Sequence, residues 1–214
     1  MLIKTLLNRV QPVKGFVYDK VELVPDLSQP DDVRLDVTMR ARRGSRGVCS
    51  GCGRRGATYD TLAARRFHFV PIWGIAVLLV YAMRRIDCRA CGVKVERVPW
   101  ATAGKSPMTV AYAVFLARWA RRLSWQQTAE AFWTSWDCVE AAVKWVVGYG
   151  LGHRDLTNIT AIGVDEVAYA KGHRYATLVY QLDEGRRRLL YVAEGRTVKS
   201  LLGFFVMLRR EGRR

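Results

Sequence analysis

The sequence predicts an α+β multidomain chain in which a β-rich N-terminal domain, a small all-α domain and a further stretch of strands follow one another. Three observations carry that reading. Apolar residues alternate with a period of two in the first part of the chain, and the period shifts to about 3.6 after residue 107. Two C-x2-C pairs sit inside the first region. Past Gly152, short alternating runs separated by turn residues return. The boundaries read as 1–98, a linker 99–107, a helical domain 108–152 and a final segment 158–214.

At 214 residues, half of them hydrophobic, the chain has material for real cores. Its formal charge of +16 sets up a field that attracts phosphate backbones or an anionic membrane. Membrane readings fail. The longest apolar stretch, Ile75 to Met83, is too short to span a bilayer and is closed by Arg84 and Arg85. Met1 to Val10 carries Lys4 and Arg9, and no small-residue cleavage site follows. Nucleic acid is therefore the expected partner and the cytoplasm the expected compartment. Five cysteines, an odd number with four in two close pairs, suit a reducing compartment and a metal better than a disulfide framework.

The chain opens with a short helical pattern (Ile3, Leu6, Leu7) and continues with two strands, Gly15 to Val24 and Val33 to Arg42, joined by a polar turn from Pro25 to Asp32. In the second strand Val33, Leu35, Val37 and Met39 face one side. Cys49-x2-Cys52 and Cys88-x2-Cys91 then supply four thiolates, which is what a tetrahedral structural zinc uses. Four reduced buried thiols, or a redox pair, are the alternatives. The strand-like run Phe67 to Met83 between the pairs suggests a hairpin with the knuckles at its ends. Arg42, Arg43, Arg46, Arg54, Arg55, Arg84 and Arg85 crowd this region, and a cluster of that density around a rigid loop is suited to phosphate contacts.

After the linker, Val110 to Trp119 reads as a first helix ending among Arg118, Arg121 and Arg122. Ser124 caps a second, Trp125 to Phe132, and a third runs from about Asp137 to Tyr149, stopped by Gly148, Gly150 and Gly152. Short helix, tight turn and second helix match the spacing of a helix-turn-helix unit. Five tryptophans, Trp119, Trp125, Trp133, Trp136 and Trp145, are expected to furnish its core, although an indole stripe could also stack bases. The third helix offers Lys144 as its cation for DNA, and Cys138 reads as a buried small residue.

In the last segment, Ala161 to Glu166, Tyr175 to Leu182 and Arg188 to Ala193 read as three short strands, followed by a helix from Thr197 whose apolar face is Leu201, Leu202, Phe205 and Leu208. The first strand ends in Asp165 and Glu166, where a carboxylate is well placed to hold a metal; Glu166 falls on the opposite face. Lys171 and Arg174, on the next turn, are candidate phosphate contacts.

Knuckles, helix-turn-helix and a GVDE strand in this order resemble an insertion-sequence transposase of the ISL3 family. The likeness runs from about Cys49 to Phe205. It rests on RRIDCRACGVKVERVPW (Arg84 to Trp100), SWDCVEAAVKWVV (Ser135 to Val147), IGVDEVAYAKGHRYATLVY (Ile162 to Tyr180) and VAEGRTVKSL (Val192 to Leu201). The resemblance implies an RNase H-like catalytic domain whose DDE triad holds two divalent metals, Mg2+ or Mn2+, for DNA strand cleavage and transfer. It also implies double-stranded transposon ends as partner, a homo-oligomeric assembly and a place at the bacterial nucleoid. The first aspartate of that triad carries over onto Asp165; the second aspartate and the glutamate are expected beyond Arg214, which would make this chain a C-terminally truncated transposase that binds ends without a complete active site. The other reading is a non-enzymatic zinc-dependent DNA-binding protein or transposition regulator. A zinc ribbon that binds RNA is a third.

Overall fold

Alternation of apolar residues along the early strands decides the first layer of structure, because a period of two puts one whole set of side chains on one face of a sheet. In the computed structural model, which describes residues 3–28, 33–102 and 107–211, the chain divides into two units at Gly150/Leu151. The first holds helix α1 (Ile3–Val10) and strands β1 (Phe16–Pro25), β2 (Val33–Ala41), β3 (Gly47–Val48), β4 (Arg55–Ile72), β5 (Ile75–Cys88) and β6 (Gly92–Val95). They form one six-stranded sheet in the order β1-β2-β5-β4-β3, with β6 on β5. β2 and β5 run parallel; the other pairings are antiparallel.

The core of this sheet is the expected face of β2 (Leu35, Val37, Met39) against Val77, Leu79, Tyr81 and Met83 of β5. Trp100 closes it, with its ring edge-on to Phe16 at 4.7 Å and to Tyr81 at 5.3 Å. One polar residue of β2 departs from simple alternation: Asp36 is buried because Arg34 (2.8 Å) and Arg66 (3.5 Å) fold over it. β4 and β5 form a long hairpin turning at Trp73 and Gly74, both at positive φ. The expected turn Pro25 to Asp32 and the linker 99–107 lie partly outside the described residues.

Three helices complete the first unit, α2 (Val110–Trp119), α3 (Trp125–Ala131) and α4 (Trp136–Gly152). Thr109 caps α2 by accepting from the Tyr112 N–H, and Ser124 with Gln127 forms a capping box on α3. Two expectations need correction. Gly148 and Gly150 do not stop α4, which continues to Gly152; glycine costs about 1 kcal/mol of helix propensity but adopts helical dihedrals freely. The tryptophans are not the innermost residues. Met108, Tyr112, Ala113, Leu116, Ala129, Val139 and Ala142 are, while Trp119 and Trp136 stay exposed. Small residues at the crossing let the helices approach and push the bulky indoles to the margin.

The second unit is a three-stranded antiparallel sheet of β7 (Ile162–Ala170), β8 (Arg174–Gln181) and β9 (Arg188–Glu194), with helix α5 (Val198–Glu211). Its core is Leu156, Val179, Leu190 and Phe204. β7 runs on past Glu166 because Val167 and Ala168 keep pairing with Ala176 and Tyr175, so Asp165 lies within the strand, not at its end. The buried face of α5 is also displaced from the expected one. Phe204 is buried with Leu201 and Leu208 beside it, at i, i+3 and i+7, whereas Leu202 and Phe205 face outward. Among the described residues no helix is long and apolar enough to cross a membrane.

Candidate functional site

The two knuckles meet because the β4–β5 hairpin brings its open ends together. Cys49 and Cys52 precede β4, Cys88 closes β5, and Cys91 follows on the turn into β6. Each C-x2-C ends in a glycine, Gly53 and Gly92, at φ 72° and 68°; a side chain in that left-handed region would be strained, which is why the turns need glycine. Within the knuckles the Gly53 N–H donates to the Cys49 carbonyl (2.9 Å) and the Cys91 N–H to the Cys88 carbonyl (3.1 Å). A further restraint fixes the first knuckle: a Cβ on Gly56 would lie 2.5 Å from the Asp87 carbonyl oxygen, so β4 passes β5 there without room for one.

All four Sγ atoms lie within 4.8 Å of one another. Tetrahedral zinc with bonds of about 2.3 Å sets its sulfurs roughly 3.8 Å apart, so the quartet fits a single metal ion. Crowding by the other thiols, through a hydrogen bond with Cys52 above all and then through burial, pushes the Cys91 thiol up to about 12. Four sulfurs this close form a donor set of the kind that a structural zinc takes as thiolates. Cys138 stands apart, partly buried in the helical segment, with its thiol pKa raised by burial.

Beside the quartet, Glu96 is 3% exposed and pairs with Arg84. Its Oε1 accepts from the Tyr81 hydroxyl (2.6 Å) and the Arg84 N–H (2.9 Å), and its Oε2 from Arg84 Nη2 (2.7 Å) and Nε (3.0 Å). Burial, and after it the bond to Glu96, push the Tyr81 hydroxyl well above its ordinary range. Nothing in the sequence singles out this network; the sole hint is one acid, Glu96, inside a basic run. Two of the expected DNA contacts have carboxylate partners in this structure. Arg84 is committed to Glu96 and the Ser45 carbonyl, and Arg85 forms an ion pair with Asp60. Arg42, Arg43, Arg46, Arg54 and Arg55 are exposed. Lys144 pairs with Glu140 one turn away, at 3.0 Å.

In the second unit Asp165 is exposed, and its Oδ1 accepts the N–H of Glu166 at 2.8 Å. Cross-strand pairing puts Asp165 opposite Leu178 and Val164 opposite Val179. Val179 packs with Phe204, so Asp165 occupies the sheet face away from α5 and Glu166 the face toward it. Lys171 and Arg174 are exposed at the β7–β8 turn. Gln181 is fully buried; its amide donates to Asp183 and its carbonyl accepts from Arg188 Nε, both within 2.8 Å. Among the described residues the cysteine quartet is the one group of three or more side chains that could hold a metal ion.

Residues 162–214 match the family model for the ISL3 transposase. Over 209 residues the chain is 27% identical to the transposase for insertion sequence element IS1001 of Bordetella parapertussis, covering 97% of this chain and 50% of the relative. Over 196 residues it is 32% identical to the transposase for insertion sequence element IS1557 of Mycobacterium tuberculosis, covering 90% of this chain and 43% of the relative. The chain thus spans about half the length of the curated relatives it matches. No solved structure matches it.

Proposed function

The chain belongs to the ISL3 family of insertion-sequence transposases, and on that premise we propose that residues 1–152 bind double-stranded DNA at the ends of the element while Asp165 supplies one carboxylate of a DDE two-metal site. The observation that carries the DNA-binding half is the coincidence of a four-cysteine metal site with exposed arginines on the very segments it ties together. In this reading the quartet holds Zn2+, which fixes the knuckles and with them the spacing of the guanidinium groups. The segment α2–α4 acts as a helix-turn-helix, with α4 as the helix nearest the bases.

Magnesium and manganese take oxygen ligands, and two ions roughly 3.5 to 4 Å apart stabilise the attacking and leaving oxygens of an in-line displacement. Asp165, exposed and in no ion pair among the described residues, is suited to that role. One carboxylate does not make a two-metal site, so strand cleavage and joining are assigned to a transposase of the relatives' length. Homo-oligomers that pair two ends belong to the same proposal.

A duplex carrying the element's end sequence tests it. Affinity should fall steeply and linearly on a log–log plot as salt rises, because each neutralised phosphate releases counterions; no binding at low salt, or binding indifferent to salt, overturns the reading. A second reading is a DNA-binding regulator without catalysis, since the exposed arginines and the cysteine quartet serve binding equally in either case. Asp165→Ala in a transposase of the relatives' length separates the two: lost transposition supports the catalytic strand, and normal transposition supports the regulator.

A further inference from the structure

A cleft of about 710 Å3 opens in the first unit beside the knuckles. Besides Arg84, which Glu96 neutralises, five cations line it: Lys14 ahead of β1, Arg46 ahead of β3, Arg55 and Arg65 on β4, and Arg97 after β6. All five are exposed, and none has a carboxylate partner among the described residues. Arg65 instead lies 5.6 Å over the ring of Phe67, another lining residue. Elsewhere on the same sheet Arg34, Arg40, Arg66 and Arg85 are all paired with aspartates. The five cations of the cleft are thus left without a counter-charge and gathered on one concave surface.

The one acid in the lining, Glu96, is already saturated by four donors and neutralised by Arg84, so it does not oppose an incoming anion. Three of the five cations are held by the knuckle. Arg46 lies three residues before Cys49 and Arg55 three after Cys52, and the Arg97 N–H donates to the Val48 carbonyl at 2.7 Å. Cys49 and Glu96 also pair as an isolated bridge. Gly47 permits this approach: a Cβ there would fall 2.1 Å from Ile86 Cδ1 and 3.2 Å from Glu96 Oε2.

We propose that this cleft is the seat of the DNA phosphate backbone, with Arg65 and Arg97 as phosphate contacts that position the duplex. The inference rests on the DNA-binding reading above and adds where the backbone lies. A concave, cation-lined surface with a neutral floor concentrates potential and accepts a ribbon of phosphates without reading bases. The same geometry makes the affinity independent of sequence.

The test uses a labelled random-sequence duplex and three forms of the full chain: the native protein, Arg65→Gln/Arg97→Gln, and the charge-matched control Lys4→Gln/Arg9→Gln, whose cations are exposed on α1 and outside the cleft. Zinc content and tryptophan fluorescence confirm that each form is folded. The cleft variant should bind about tenfold more weakly per guanidinium removed, and its salt slope should flatten by roughly two relative to the native chain. The control should show less than half of that change in slope and of that loss in affinity. Equal losses in the two variants would overturn the cleft as the site while leaving DNA binding intact, whereas a native chain that fails to bind the duplex at low salt would remove the DNA-binding reading itself.

Discussion

Glu96 and Asp165 are both carboxylates carried on or beside a sheet strand, and the protein treats them oppositely. Glu96 is sealed beside the knuckles with four donors, two of them from the Arg84 guanidinium. Asp165 stands on an edge strand with one local N–H and open solvent. β5 buries every second side chain from Val77 to Met83, while β7 buries none. The difference teaches that desolvation decides what a carboxylate is for. A buried one must be paired and so becomes part of the scaffold, and an exposed one retains free lone pairs for a cation.

The severest way to break the comparison is to remove what holds the first region together. Metal analysis should find close to one zinc per chain, and chelation, or Cys49→Ser with Cys88→Ser, should unfold the knuckle region, since a structural zinc contributes on the order of 10 kcal/mol in small domains. A metal-free chain with unchanged thermal unfolding would contradict the assignment. Glu96→Ala comes next. It leaves Arg84 buried without its partner and should cost about 3–5 kcal/mol. Denaturant titration followed by tryptophan fluorescence reads this cleanly, because Trp73, Trp100, Trp119, Trp125, Trp133, Trp136 and Trp145 all lie in the first unit.

For the second region the matching experiment is Phe204→Ala, which empties the centre of its core and should cost about 3–5 kcal/mol. Far-ultraviolet circular dichroism should register the loss while the tryptophan transition stays put; a shared shift would show that the units do not unfold separately. Smaller effects follow from pH. His68, stacked on Tyr112 at 5.6 Å, has its pKa lowered from the ordinary 6.5 by burial. The unfolded chain then binds a proton before the folded one does, so the first unit should lose stability as pH falls below about 6.5 and the loss should level off below the folded-state value. In His68→Gln that slope should shrink. Smallest of all, Asp165→Asn should change stability by no more than about 0.5 kcal/mol, and a larger change would mean that Asp165 is structural after all.

Much of this architecture was legible in the chain itself. Strands, helices and caps are local: the alternation of Leu35, Val37 and Met39, the Ser124–Gln127 box and the paired C-x2-C-G knuckles each state their geometry within a few residues. GVDE could be placed on a strand for the same reason. What the local pattern does not contain is partnership across the fold. Whether Arg84 is a phosphate contact or the counter-ion of Glu96 depends on a residue twelve positions away that β6 brings alongside β5. How far β7 extends past Asp165 depends on β8, and which residue of α5 is buried depends on where Val179 lies. The tryptophans looked like core by size, but the helix crossing is filled by Ala113, Ala129 and Ala142. Sequence by itself determined the elements, the spacing of the four cysteines and the likeness to the family, because periodicity and spacing are written in order along the chain. The tertiary structure alone decided which charges are neutralised, which remain open around the cleft and which face Asp165 occupies, because those depend on distances and desolvation that exist only after distant segments have met.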